Sequence, residues 1–372
     1  MNPFDRTIHS SDDARRLARR RLPWMVFGYI DGKAGTEHGA ALNRGALADL
    51  RLRQRVLVDV SERDLSVDVF GKTSKAPFGI SPMGMCNLSH PDGDMALARI
   101  AAKLGAPHCV STVASTSMEK IIEAAEGNAW FQLYFSGDGS GALKLVERAE
   151  KAGYETLILT VDVPVLGRRT REIRHGFKTP FRIGPSQFID FACHPHWSLR
   201  TLFRGKPQLA NFDDEEYTFD RTESRAKADW SYLKRLRDAW KGNLVVKGVL
   251  DPEDAVRLKA EGVDAVQVSS HGGRQLDGAP EPILALRDIR RAVGDDFPLF
   301  YDTGIRSGED VAKAYAMGAD FVFLGRILQF ALAANGETGL NQLWSVMTEE
   351  FDLAMAQMGQ VSPAGLKYGL VD

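Results

Sequence analysis

Cysteine is scarce in this chain of 372 residues: Cys86, Cys109 and Cys193 are scattered, with no metal-like spacing. They read as reduced thiols of a cytoplasmic protein. Net charge is nearly absent as well, with 47 basic against 49 acidic side chains, so nothing favours nucleic acid or an acidic partner. No apolar run approaches the length that spans a bilayer. The basic N-terminus (Arg15, Arg16, Arg19, Arg20, Arg21) is followed by no apolar core, which speaks against a secretory signal. Asp12 to Leu22 is expected instead as a surface helix capped by Ser10, Ser11 or Asp12. What is present, 44% apolar and 26% charged residues, is the composition of a globular enzyme.

From residue 77 onward, short apolar runs alternate with amphipathic segments. Eight runs read as strands: Pro77–Pro82, His108–Ser111, Trp130–Tyr134, Thr156–Asp162, Leu244–Lys247, Ala265–Ser269, Pro298–Asp302 and Phe321–Leu324. They are continuously apolar, as parallel strands covered on both faces are. Helices of fitting length lie between most of them, among them Met95–Leu104, Gly141–Ala152, Pro252–Glu261 and Gly308–Met317. Eight such units predict an α/β chain folded as a (β/α)8 barrel, one domain over 1–372. Residues 1–76 are expected as an N-terminal helical segment across the barrel, and 175–230 as a long lid or insertion loop after the fourth strand.

Active sites of such barrels sit at the carboxyl ends of the strands, and each predicted end here carries glycine or a polar group. The most informative is Ser269-Ser270-His271-Gly272-Gly273-Arg274. An imidazole takes a proton near neutral pH, a guanidinium grips a carboxylate with two bonds, and paired glycines admit close backbone approach. A solvated turn is the alternative for His-Gly-Gly taken alone.

Together with Trp130-Phe131-Gln132-Leu133-Tyr134, Leu159-Thr160-Val161-Asp162, Gly167-Arg168-Arg169, Val246-Lys247-Gly248, Asp302-Thr303-Gly304-Ile305-Arg306 and Gly325-Arg326, this segment resembles the FMN-dependent 2-hydroxy acid dehydrogenases and oxidases. That family includes flavin L-lactate dehydrogenase, glycolate oxidase and mandelate dehydrogenase. The resemblance implies FMN as cofactor and His271 as the base, oriented by Asp162. Arg274 and Arg169 are implied as the carboxylate clamp, with Arg168 an alternative that spacing alone does not separate from Arg169. Tyr29 and Tyr134 are implied to hydrogen-bond the substrate's oxygens. Lys247 is implied beside the N1–C2 edge of the flavin, with Pro82, Met83, Gly84, Ser111, Gln132, Thr160 and Ser269 along its polar edges. Asp302, Gly304, Arg306, Gly325 and Arg326 complete the implied cofactor set, the last four around the phosphate.

Four positions depart from the family's pattern. Gly84 stands where oxidases often carry alanine, and Val113 where several members have an aromatic ring, both enlarging the pocket. Thr303 replaces the second residue of an Asp-Gly-Gly pattern, and Ser270 replaces Asn before His271. Phe177, Phe181, Phe188, Phe191, Trp197, Leu199, Leu202 and Phe203 make the first half of 175–230 apolar. In membrane-associated members this region touches the bilayer; a lid packed on the barrel rim is the other reading. Cys193-His194-Pro195-His196 lacks a fourth ligand, so no metal is expected, and Asp213-Asp214-Glu215-Glu216 reads as solvated surface.

The expected activity is oxidation of an (S)-2-hydroxy acid to its 2-oxo acid, as in L-lactate dehydrogenase. Electrons would pass to an external acceptor, a quinone or carrier protein, or to oxygen with release of hydrogen peroxide in the oxidase alternative. The expected location is cytoplasmic, or peripheral at the inner face of the membrane. The family resemblance implies a homo-tetramer.

Overall fold

The computed structural model describes residues 7–177, 183–204, 209–212 and 224–371. Phe181 and the acidic run 213–216 lie outside the described residues. The chain opens with helices Ser11–Arg21, Trp24–Asp31 and His38–Asp49 and a short antiparallel hairpin, β1 (Val67–Val69) and β2 (Lys72–Ser74). Eight parallel strands follow: β3 (Phe78–Met83), β4 (His108–Ser111), β5 (Ala129–Leu133), β6 (Thr156–Thr160), β7 (Asn243–Val249), β8 (Ala265–Val268), β9 (Leu299–Tyr301) and β10 (Phe321–Leu324). Each pairs with its sequence neighbours, and β10 closes onto β3. The expected (β/α)8 barrel is present, with helices around it.

The strands are buried throughout most of their length because both faces are covered, which is why they carry Val, Ile, Leu and Phe without alternation. Inside the barrel, Trp130, Phe300 and Phe323 pack with ring centroids 5.4–5.8 Å apart, Phe300 and Phe323 edge to face and Trp130 tilted against both. Phe70, at the tip of the β1–β2 hairpin, packs on Trp130 and Phe300 from below. This hairpin corrects the expectation that 1–76 is helical only: a helical segment does lie there, but its last part is extended and plugs the amino end of the barrel.

The first helix begins at Ser11, with Ser10 as its cap accepting from the Asp13 N–H. It lies along the C-terminal helical segment Arg326–Gln357, two helices joined at a kink at Asn335 and Gly336. Arg15 grips Asp31 with two bonds of 2.8 Å, and Arg171, from the short helix after β6, reaches the same carboxylate. The N-terminal helices are thereby joined to the catalytic rim.

The excursion 175–230 is not simply a loop. Its described parts form helices Pro185–Cys193 and Pro195–Arg204 and a turn at Ala210–Phe212. Trp197 is buried with its indole N–H donating to the Leu88 carbonyl, and Phe191 packs on its ring. Leu199, Leu202 and Phe203 point outward.

Four strands stop short of their predicted ends, β8 by the single residue Ser269. Tyr134, Asp162 and Asp302 each fall just beyond the last ladder residue, in loops free to aim side chains. The ladder shifts register between Ile80 and Met83 and between Lys247 and Val249. Such irregularities re-aim side chains beside active sites.

Candidate active site

The carboxyl ends of the strands open into a cleft of about 1340 Å³ of empty space, partly open to solvent. His271 lines it from the turn after β8, at φ +56°. Its Nδ1 lies 3.0 Å from Asp162 Oδ1, which leaves Nε2 as the other titrating nitrogen. Asp162 comes this close because residue 248 is glycine. At φ +101° a Cβ there would sit 2.5 Å from the Asp162 carboxyl carbon. Burial pushes the His271 imidazole below its ordinary 6.5, and the Asp162 carboxylate opposes that shift.

Beneath the imidazole lies a buried ion pair. Lys247 Nζ donates to Ser269 Oγ at 2.8 Å and stands 3.2 Å from Asp302 Oδ2. Burial works against the ammonium, but Asp302 and Asp162 outweigh it and hold its pKa above the usual lysine value. Burial likewise opposes the Asp302 carboxylate, but Lys247 together with hydrogen bonds from Ser269, Ser81 and Thr303 outweighs it, leaving that pKa lowered. Ser81 and Gln267 also donate to Asp302, at 2.8 and 2.9 Å. An ion pair this deep stands because its remaining lone pairs are met.

Five arginines reach the same cleft, Arg169, Arg225, Arg274, Arg306 and Arg326. Arg169 is buried on its wall, whereas Arg168 is exposed and not part of it, which decides between the neighbours geometrically. Arg274 Nη1 donates to the Tyr29 and Gly32 carbonyls at 2.8 and 2.6 Å, and Nη2 to Glu172 at 2.9 Å. Its Nε–H and second Nη2–H have no partner among the described residues. Arg169 reaches the same Glu172 oxygen at 3.4 Å. Arg326 donates to the Ile30, Gly32 and Gly272 carbonyls, and Arg306 to its neighbour Ile305. Burial and the adjacent guanidiniums push Arg326 down to about 9; burial and Arg44 push Arg306 to about 10.

Tyr29, Pro82, Met83, Gly84, Ser111, Tyr134, Lys247, Asp302, Gly304 and Gly325 all border the cleft. Tyr29 donates to the Gly84 carbonyl at 3.3 Å and stacks on Phe177 at 4.5 Å. Gln132, Thr160, Ser269 and Asp162 lie behind the wall, Ser269 joined to it by Lys247 and Asp162 by His271. Glu172, Arg225 and Gln329 were not anticipated. Glu172 had one signal, its place three residues after Arg169 on a helix. Arg225, buried with its guanidinium 5.1 Å from the Tyr134 ring centroid, had none, since it returns from the long excursion.

The model of the FMN-dependent dehydrogenases matches residues 18–372. The chain belongs to this family. (S)-mandelate dehydrogenase of Pseudomonas putida is 39% identical over 363 residues, covering 96% of this chain and 92% of that protein. An L-lactate dehydrogenase of Caulobacter vibrioides is 40% identical over 374 residues, covering 95% and 94%. The crystal structure of the monotopic membrane protein (S)-mandelate dehydrogenase matches with a TM-score of 0.93 at 39% identity, covering 98% of this chain and 99% of that one.

As an FMN-dependent dehydrogenase, the chain carries groups that fit the cofactor. Gln132 Nε2 and Thr160 Oγ1 are buried without a partner among the described residues, and a buried donor or acceptor left so is costly. Arg306 and Arg326 crowd positive charge with no carboxylate bonded to either guanidinium among the described residues, a setting for a phosphate.

Proposed function

We propose that this FMN-dependent dehydrogenase oxidises an (S)-2-hydroxy acid to the 2-oxo acid. The observation that carries the reading is one cleft in which an imidazole held by a carboxylate faces a buried arginine, Arg169, and a half-buried one, Arg274, both paired with Glu172. That the relatives are named (S)-mandelate and L-lactate dehydrogenases agrees with it. The whole chain acts as one FMN-binding barrel domain.

Arg274 and Arg169 hold the substrate carboxylate, bidentate geometry fixing the carbinol carbon. Tyr134 and Tyr29 donate to its oxygens. His271 Nε2 accepts a proton from the carbinol, and Asp162 stabilises the imidazolium that forms. Bound FMN would supply the oxidant, a sink for the two electrons and the second hydrogen of the carbinol, both of which would go on to an external acceptor. Lys247, beside Asp302, would supply a fixed positive charge to the cofactor's polar edge, which Pro82, Met83, Gly84 and Ser111 on the cleft and Gln132, Thr160 and Ser269 behind its wall would hold. Gly304, Arg306, Gly325 and Arg326 hold its phosphate.

The acceptor we favour is a membrane quinone, because the excursion presents apolar side chains outward. Phe188 (68% exposed), Leu202 (75%) and Phe203 (84%) share this rim with Trp24 (66%). Met25, next to Trp24, donates its N–H to Asp190 at 3.4 Å, tying that helix to Pro185–Cys193. Arg200 and Arg204 lie beside them in sequence, and apolar side chains flanked by arginine suit a bilayer surface. Among the described residues no helix is long and apolar enough to cross a membrane. We place the protein in the cytoplasm, peripheral at the inner face of the membrane, as a homo-tetramer.

Anaerobic mixing of the FMN-loaded protein with lactate, mandelate and longer 2-hydroxy acids tests the substrate reading: bleaching by at least one is expected, and bleaching by none overturns it. Reoxidation faster by a quinone than by oxygen is expected; the reverse, with peroxide, would make it an oxidase. Sedimentation with anionic vesicles, lost in a Leu202→Glu/Phe203→Glu variant, tests the surface.

A further inference from the structure

We propose that Thr303 is a positioning residue for His271: its hydroxyl ties the two backbone amides flanking the imidazole to the Asp302 carboxylate, and the backbone is held strained to do so. The inference rests on His271 being the base of the proposed reaction.

Thr303 is buried in the loop after β9 with φ +98°. L side chains seldom adopt that conformation, and for a β-branched one it is an outlier. Strain of this kind persists only where surrounding structure enforces it. Here the enforcement is visible. Thr303 Oγ1 accepts from the Ser270 N–H at 3.2 Å and the Gly272 N–H at 3.4 Å, and donates to Asp302 Oδ1 at 2.9 Å. Two lone pairs and one proton are all a hydroxyl has, so every one is used.

The amide between them follows the same plan. The His271 N–H donates to Ser269 Oγ at 3.0 Å, and Ser269 Oγ accepts from Lys247, the partner of Asp302. Three consecutive N–H groups around the imidazole therefore lead, through two hydroxyls, to one carboxylate. Ser270 Oγ completes the clamp by accepting from Asn43 Nδ2 at 2.9 Å. His271, itself at φ +56°, sits in an unfavourable conformation that these bonds hold in place. Glycine at 303 would remove the strain but leave two flanking amides without their acceptor. Thr303 and Ser270, the two departures from the family's pattern next to the base, are thus in direct contact.

The test compares FMN-loaded Thr303→Ser, Thr303→Val and Thr303→Gly. Ser keeps the hydroxyl and is expected within about twofold of wild type in the rate of flavin reduction. Val keeps the shape without the hydroxyl and is expected to slow reduction at saturating substrate about tenfold or more, with KM within about twofold. Gly is expected to slow it similarly while keeping or raising Tm, since the strain is gone. In both slow variants the imidazole is held less well against Asp162, so the acidic limb of kcat/KM moves to lower pH. Val or Gly variants with wild-type rates and pH profiles would overturn the proposal, as would a Ser variant as slow as Val. Should Gly fail to fold, the Ser and Val pair still decides.

A second readout needs no turnover: the proton on His271 Nδ1, followed by NMR in the FMN-loaded protein, is expected to keep its hydrogen-bonded shift in Ser and lose it in Val. If no 2-hydroxy acid reduces the wild type, the functional reading fails, and this resonance tests the positioning by itself. An unchanged resonance in Val sinks it.

Discussion

Arg169 and Arg274 lie in the same cleft as Arg306 and Arg326, yet the two pairs are balanced differently. The first pair shares the Glu172 carboxylate, at 3.4 and 2.9 Å. Among the described residues, the guanidiniums of the second bond to backbone carbonyls alone, and they are pushed down to about 10 and 9 by burial and neighbouring cations. A pair with a built-in counter-charge can release its guest, because one positive charge remains neutralised when the guest leaves. A pair without one relies on an anion that stays. On the proposed function, the first holds a carboxylate that arrives and departs each turnover, and the second a cofactor phosphate.

The widest separation between cofactor and substrate chemistry should come from His271→Ala. It touches neither pair, so FMN is retained while anaerobic flavin reduction falls about 100- to 10,000-fold; retained reduction would dismiss the base. The same imidazole sets the pH dependence. It must be neutral to accept a proton, and burial lowers its pKa below 6.5. Then kcat/KM should hold to pH values below 6.5 before it falls. Asp162→Asn removes the carboxylate that opposes burial, so the limb should move further down as the plateau drops.

Next come the crossed arginine variants. Arg326→Met is expected to weaken FMN binding about 10- to 100-fold, as charge-assisted bonds are lost, with substrate KM of the reloaded enzyme near wild type. Arg274→Met should cost a similar factor in kcat/KM and leave FMN affinity within about twofold. Fluorescence titration of apoprotein with FMN reads both; loss of FMN from both would end the distinction. A smaller effect, about fivefold, is expected from Glu172→Gln. Without the shared carboxylate, KM and the product inhibition constant should both fall; a rise in both would show that Glu172 only props up the arginines. Smallest is Gly84→Ala. A Cβ there meets Val113 Cγ2 at 2.6 Å and Tyr29 Oη at 3.5 Å. Mandelate-sized acids should lose about two- to threefold more kcat/KM than lactate, since overpacking is felt first where the pocket is full.

The barrel was legible because burial on both faces forces continuous apolar strands, and most of the site because polar groups at strand ends have little other reason to be there. The choice between Arg168 and Arg169 was not, since adjacent residues share every spacing and only packing buries one of them. The β1–β2 hairpin escaped because three-residue strands give too short an alternation to register. Glu172 and Arg225 depend on where the excursion leaves and re-enters the rim, which no local pattern encodes. The helices Pro185–Cys193 and Pro195–Arg204 were hidden because each is short and opens on a proline, and their apolar residues read equally as a lid.

The aromatic floor has a kinetic consequence. Phe70 closes the amino end of the barrel against Trp130 and Phe300, and Phe323 completes the stack. Nothing the size of an organic acid passes through rings packed 5.4–5.8 Å apart, so traffic with the cleft runs through its upper mouth. Acid must enter and oxo acid leave by the route the electron acceptor also needs. Steady-state plots at varied acceptor should therefore be parallel lines, the two reactants taking turns at one door.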